Sequence, residues 1–125
     1  MKADTDSYKK VLKNNNITEE EVQIQVHKDD VIDKVPFMYI SDSKIHGVGC
    51  FTSRAVKKGC IICPARIRDK RTPAGRYCNH VVDPNAFSKA IGTSFVLIAH
   101  RNINKDEEIT LNYQQVIDVN KQVRQ

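Results

Sequence analysis

Arg76-Tyr77-Cys78-Asn79-His80-Val81-Val82-Asp83-Pro84-Asn85-Ala86 is the most distinctive segment of this 125-residue chain. It places a basic residue, an aromatic ring, two amides and an imidazole close together. An asparagine amide both donates and accepts, so Asn79 suits a polar head group. Asp83-Pro84-Asn85 reads as a turn, because Pro presets φ and the Asp and Asn side chains bond their own backbone. Taken alone, the stretch is equally a polar loop with a core tyrosine, and His80 equally a structural hydrogen-bonder.

Two motifs flank it. Upstream, His46-Gly47-Val48-Gly49-Cys50-Phe51 carries two glycines one residue apart. Such a turn lets the backbone approach a ligand with N–H groups free to face an anion. Alone it is equally a bulge or hairpin turn, and it lacks the third glycine of a dinucleotide fingerprint. Downstream, Glu107-Glu108-Ile109-Thr110-Leu111-Asn112-Tyr113 alternates so that Ile109, Leu111 and Tyr113 share one strand face. Tyr113 ends that run, where a strand emerges into a site or closes a core.

The remaining sequence predicts short β segments at residues 37–40, 50–53, 60–63, 93–100 and 108–113, separated by turn residues. Residues 64–75 read as a basic loop, with Pro73 and Gly75 as breakers. Residues 1–35 form an N-terminal accessory segment. There a helix from Asp6 or Ser7 through Lys13 would bury Tyr8, Val11 and Leu12. Thr18-x-x-Glu21 fits a capping box, whereas Val22, Ile24 and Val26 alternate like a strand, and both readings stay open. Val116, Ile117 and Val119 suggest a short helix in the tail, residues 115–125.

Composition narrows the function. With 40% hydrophobic and 28% charged residues the chain has the balance of a folded domain rather than a disordered one. No apolar run reaches the ~18–20 residues of a membrane span. The start MKADTDSYKK lacks an apolar signal region, so the expectation is an intracellular protein with no membrane partner. Cys50, Cys60, Cys63 and Cys78 are then expected as reduced thiols. Cys60-x-x-Cys63 with Cys78-x-His80 has zinc-like spacing, but Ile61 and Ile62 give the first pair a strand's apolar texture. The favoured reading is small buried hydrophobes and no metal.

Charge is uneven. Residues 1–35 hold six Lys against eight Asp and Glu, while residues 36–125 hold 14 Lys and Arg against seven Asp and Glu. The basic body predicts a soluble surface or an anionic partner, with an acidic partner possible for the stretch from Arg66 to Arg76. A basic nucleic-acid-binding domain is one alternative, although the interleaved aromatics of a stacking platform are lacking.

The order of these motifs, together with Val56-Lys57-Lys58-Gly59 and Ala99-His100-Arg101-Asn102-Ile103, resembles a SET domain across roughly residues 36–114. The small size is similar to minimal forms of bacteria and viruses, in a host cell if viral. The resemblance implies a mainly β, β-clip-like fold of several short sheets, with a C-terminal segment threaded beneath a preceding loop as a pseudoknot. It implies transfer of a methyl group from S-adenosylmethionine to a lysine of a protein substrate. His46, Gly47, Val48, Gly49, Tyr77, Asn79 and His80 would bind the cofactor, Asn79 by its side chain and His80 mainly by its backbone. Tyr113 would be the catalytic tyrosine at the floor of a lysine channel. Leu111 would line that channel where many members carry Phe or Tyr, leaving room for more than one methylation. A SET-derived binding module with little catalysis is the alternative within the family. The segment from Gly59 to Asn79 is shorter than the insert of most members. The substrate site would therefore be reduced, built by the N-terminal segment, or completed by a second subunit, as in a homodimer.

Overall fold

The computed structural model describes residues 5–21, 35–68 and 70–123. In chain order the elements are α1 (Thr5–Asn14), β1 (Met38–Asp42), β2 (Val48–Thr52), β3 (Ile61–Ile67), β4 (Lys70–Arg71), α2 (Pro73–Tyr77), β5 (Asn79–His80), β6 (Ala86–Ile91), β7 (Ser94–Ala99), β8 (Glu108–Leu111) and α3 (Tyr113–Val123). The protein is mainly β, built from two small sheets, as the sequence predicts.

The first sheet runs β4-β3-β7-β6. Its spine is the apolar run Phe95 to Ala99, in which Phe95, Leu97, Ile98 and Ala99 are buried. β6 folds back on β7 in register from Ala86↔Ala99 to Ile91↔Ser94, through a turn in which Gly92 takes a φ of +61°. Each large aliphatic side chain removed from water here contributes roughly 1.5–3 kcal/mol.

The second sheet runs β1-β2-β8-β5. β8, the last strand of the chain, lies inside it, antiparallel to β2 and parallel to β5. Asn79 faces Thr110 and His80 faces Leu111 across that parallel pair. This insertion of the final strand between two earlier ones is the sheet-level form of the expected threading. Asn85 locks it. Its side chain is 2% exposed; its Oδ1 accepts from the Thr110 N–H at 2.9 Å, and its Nδ2 donates to the Glu108 carbonyl at 2.8 Å and to Glu107 Oε2 at 2.9 Å. The Asp-Pro-Asn turn therefore clamps β8 from the side.

Three local expectations are corrected. Residues 64–75 do not form a loop: β3 continues through Pro64 to Ile67, β4 returns at Lys70, and α2 follows. The strand tolerates Pro64 because its pairing with β7 shifts register on both sides of that point, and a bulge is where a residue without an N–H does least harm. Pro73 starts α2 rather than breaking structure. It occupies the first turn, where its missing N–H is an orphan anyway, and Thr72 Oγ1 caps the helix by accepting from Gly75 N–H at 3.2 Å. Gly75 is required by packing, since a Cβ there would collide with the Ala65 carbonyl.

The third correction concerns Tyr113. The strand expected over residues 108–113 stops at Leu111, and Tyr113 opens α3. Asn112 causes the switch: its Oδ1 accepts from Gln114 N–H at 3.0 Å, the bond of an N-cap. β6 is an element the sequence reading did not anticipate. In the N-terminal segment the expected helix forms as α1. Thr18 and Glu21 make the reciprocal bonds of a capping box, 3.1 Å from Glu21 N–H to Thr18 Oγ1 and 3.4 Å from Thr18 N–H to Glu21 Oε1, and helical residues follow at 19–21. The alternation at Val22, Ile24 and Val26 lies outside the described residues. Among those described, no helix is long and apolar enough to cross a membrane.

Candidate active site

The Cys78–Asn79 peptide, where α2 gives way to β5, serves two sites at once, through the Cys78 carbonyl and the Asn79 side chain. On one face Asn79 reaches the turn between β1 and β2. Its Nδ2 lies 3.0 Å from the His46 carbonyl, 3.1 Å from the Val48 carbonyl, 3.1 Å from Ser43 Oγ and 2.9 Å from Glu108 Oε2. Ser43 Oγ holds the same carboxylate at 2.8 Å. Gly47 makes the turn with a φ of +51°. Gly49 has a different purpose from the one its spacing suggests: a Cβ there would overlap the Glu108 carboxylate. The glycine makes room for an internal acid.

Of the residues expected to bind cofactor, His46, Gly47, Val48, Gly49 and Asn79 are thus brought together. Tyr77 is not in this cluster. It ends α2, packs against the core, and carries the Arg76 guanidinium over its ring at 5.4 Å. The His80 side chain turns inward, where its Nδ1 accepts from Tyr113 N–H at 2.9 Å. A ring nitrogen that accepts from a backbone N–H bears no proton, so Nε2 carries it, 2.8 Å from Ser7 Oγ. Both ring nitrogens of His80 are thus engaged within the protein, and its backbone lies beside Leu111 in the β5–β8 pair. Glu108 and Ser43 were missed as site residues. The double Glu107-Glu108 was visible in sequence, but nothing there said that each acid pairs with a different asparagine.

On the other face the Tyr113 hydroxyl donates to the Cys78 carbonyl at 2.7 Å. Burial pushes this phenol above its ordinary range; the neighbouring Cys78 adds to the shift and Arg71 opposes it. The hydroxyl therefore stays protonated at neutral pH. Tyr113, Leu111 and Cys78 line a cavity of about 700 Å³, together with Tyr8, Glu21, Arg66, Arg71, Arg76 and Lys121 among others. None of the residues on the glycine-turn side lines it.

The cysteines divide. Cys50, Cys63 and Cys78 are buried and Cys60 is exposed. Contact with the Cys50 thiol and burial hold Cys78 protonated, and burial pushes Cys63 up to about 12. Among the described residues no group of three or more potential ligands converges on a metal position.

With two small sheets and the final strand threaded between β2 and β5, the architecture is that of a SET domain, and the SET domain profile matches residues 9–114. The chain belongs to the SET domain family. No sequence match emerges among curated proteins. Among solved structures, the chain is similar to a candidate histone methyltransferase of Plasmodium falciparum, at 27% identity over 61% of this chain and 96% of that one, with a TM-score of 0.49. It is also similar to a humanized mutant of the Chaetomium thermophilum Polycomb Repressive Complex 2 bound to an inhibitor, at 16% identity and a TM-score of 0.51. An apo form of that complex matches at 16% and 0.50. Each of these two matches covers 66% of this chain and 15% of the other.

Proposed function

We propose that the protein is an S-adenosylmethionine-dependent methyltransferase acting on a lysine side chain of a protein substrate inside the cell. The observation that carries this is the placement of Tyr113. Its hydroxyl is fixed at the wall of a cavity by the carbonyl of Cys78, while the next residue, Asn79, faces the glycine turn. Two faces meet at one peptide, as a donor site and an acceptor site must.

The glycine-turn side fits the cofactor chemically. The His46 and Val48 carbonyls and the Glu108 carboxylate are acceptors gathered around the Asn79 amide nitrogen, which donates to them; their second lone pairs suit a cationic amino group. Bound there, S-adenosylmethionine supplies a methyl group on a sulfonium, already a good leaving group. His46, Gly47, Val48, Gly49, Asn79 and the His80 backbone are the residues assigned to hold it.

On the cavity side the chain must present an uncharged amine. A lysine at its reference pKa of ~10.4 is almost wholly protonated at neutral pH, and an apolar wall lowers that value by penalising the ammonium. Leu111, 5% exposed, supplies part of such a wall. Tyr113, with its own proton committed to Cys78, offers its oxygen lone pairs to an amine N–H. It orients the nucleophile rather than acting as a base, and positioning of this kind is worth up to ~7–11 kcal/mol of barrier. Leu111 has no hydroxyl to anchor a water beside the amine, which favours repeated methylation. Arg66, Arg71, Arg76 and Lys121 on the rim give the cavity a basic flank, which favours acidic residues near the target lysine.

The test is incubation with methyl-labelled cofactor and a lysine-centred peptide array. Label transferred to lysine supports the reading. Calorimetric cofactor binding with no transfer to any peptide, and none to the chain itself, would leave a binding module instead.

A further inference from the structure

One wall of the Tyr113 cavity has no assigned role, and it comes from the N-terminal segment. Tyr8 on α1 meets Tyr113 edge-on, with ring centroids 5.7 Å apart and planes at 78°, and lies 6.4 Å from the His80 ring. Leu12, Ile17 and Glu21 line the same cavity. The helix is docked there by named bonds. Ser7 Oγ pairs with His80 Nε2 at 2.8 Å, and Asn15 Nδ2 donates to Gln114 Oε1 at 2.7 Å. Val11 and Leu12 are buried beneath it. The Tyr8 hydroxyl is hydrogen-bonded to Glu19.

We propose that Tyr8 is a positioning residue of the lysine channel, so that residues 5–21 are part of the substrate site. The proposal rests on the methyltransferase reading and names which element replaces the shortened segment before Asn79. The negative face of an aromatic ring attracts an ammonium group, and a phenol that donates to a carboxylate gains electron density. Glu21 adds a carboxylate to the cavity lining. A lysine entering as the ammonium ion is held against Tyr8, gives up its proton to solvent as the apolar wall at Leu111 penalises the charge, and meets Tyr113 as the uncharged amine. Tyr8 lies on the cavity side, away from the glycine turn, so its effect falls on substrate and not on cofactor.

The experiment uses the full chain and the lysine peptide most strongly labelled on the array. Tyr8→Leu is expected to raise the peptide KM roughly tenfold, with kcat and calorimetric cofactor affinity near the wild-type values. Tyr8→Phe, which keeps the ring, is expected to restore most of that loss. Should Tyr8→Leu fail to melt cooperatively, the same question is put to Tyr8→Phe carrying one, two or three ring fluorines, which preserve shape and weaken the ring face. The peptide KM then rises with each fluorine. A flat fluorine series, or a Tyr8→Leu variant with unchanged KM, would overturn the proposal while leaving the methyltransferase reading intact. So would parallel loss of cofactor affinity and turnover in every variant, the pattern of a merely structural residue. A wild-type chain that methylates no lysine overturns the proposed function, and this inference with it.

Discussion

The Tyr113 hydroxyl donates to the Cys78 carbonyl at 2.7 Å, tying the first residue of α3 to the residue before Asn79. Two segments 35 positions apart in the chain are thereby joined at the cavity wall. The Tyr113 backbone N–H makes the second tie, to His80 Nδ1 at 2.9 Å. Both ends of one residue are used, so the ring has little freedom to leave its position.

Tyr113→Phe removes only the hydroxyl. It leaves the Cys78 carbonyl without that donor, at a cost of about 1 kcal/mol in stability. Methyl transfer is expected to fall by roughly a hundredfold or more, because the amine loses its orienting group. Cofactor affinity, measured by calorimetry, should be unchanged. Transfer at the wild-type rate would remove Tyr113 from the catalytic role.

Asn79 and Asn85 are expected to respond differently although they belong to one motif. Asn85→Ala leaves the buried Thr110 N–H and the Glu108 carbonyl without partners, so the loss should appear in stability, at ~1–3 kcal/mol for each unsatisfied group. Asn79 is half-buried in β5, and Asn79→Ala should cost less in melting temperature. It is expected to weaken cofactor affinity by about 1–3 kcal/mol. Thermal melts beside calorimetry separate the two, and equal effects of both variants on affinity would contradict the assignment.

Gly49 and Glu108 are coupled through space. A methyl at position 49 meets the end of the Glu108 side chain, which has room to swing away only by leaving Ser43 and Asn79. Gly49→Ala is expected to cost ~1–3 kcal/mol, as overpacking does. In the Glu108→Ala background the same substitution should be nearly neutral, a coupling in the ~0.5–3 kcal/mol range of residues in contact. Denaturant melts of the four-member cycle measure it, and additive effects would show that the carboxylate does not occupy this place.

The cysteines give a pH signature. An unfolded thiol loses its proton near a pKa of ~8.5, whereas burial holds folded Cys63 protonated up to about 12. The folded state then binds the proton more tightly. Stability from this group is complete below ~8.5 and declines as pH rises toward about 12. Cys63→Ala should reduce the slope of unfolding free energy against pH in that window. A thiol-reactive chromogenic disulfide should titrate exposed Cys60 rapidly in the native protein and all four cysteines in denaturant. Rapid native reaction at Cys63 or Cys78 would contradict their burial.

The order of motifs along the chain was enough to indicate the fold, because a tyrosine just after the last strand, an Asn-His pair and a glycine turn together resemble a SET domain. α1 and the capping box at Thr18 and Glu21 were also legible, since helix periodicity and capping are local. What the sequence left open was decided by contacts between distant segments. Local rules made Pro64 and Pro73 breakers, but tertiary pairing placed one at a bulge and the other at a helix start. The two glutamates read as one motif, yet Glu107, in the turn before β8, bonds Asn85, and Glu108, the first residue of β8, bonds Asn79. Tyr8 read as core, and its edge contact with Tyr113 arises only when α1 docks on α3 across a separation of about a hundred residues, as the Asn15 to Gln114 bond does. A chain of side chains records periodicity and propensity within a few turns; which faces meet is fixed by packing, and packing is where this site was assembled.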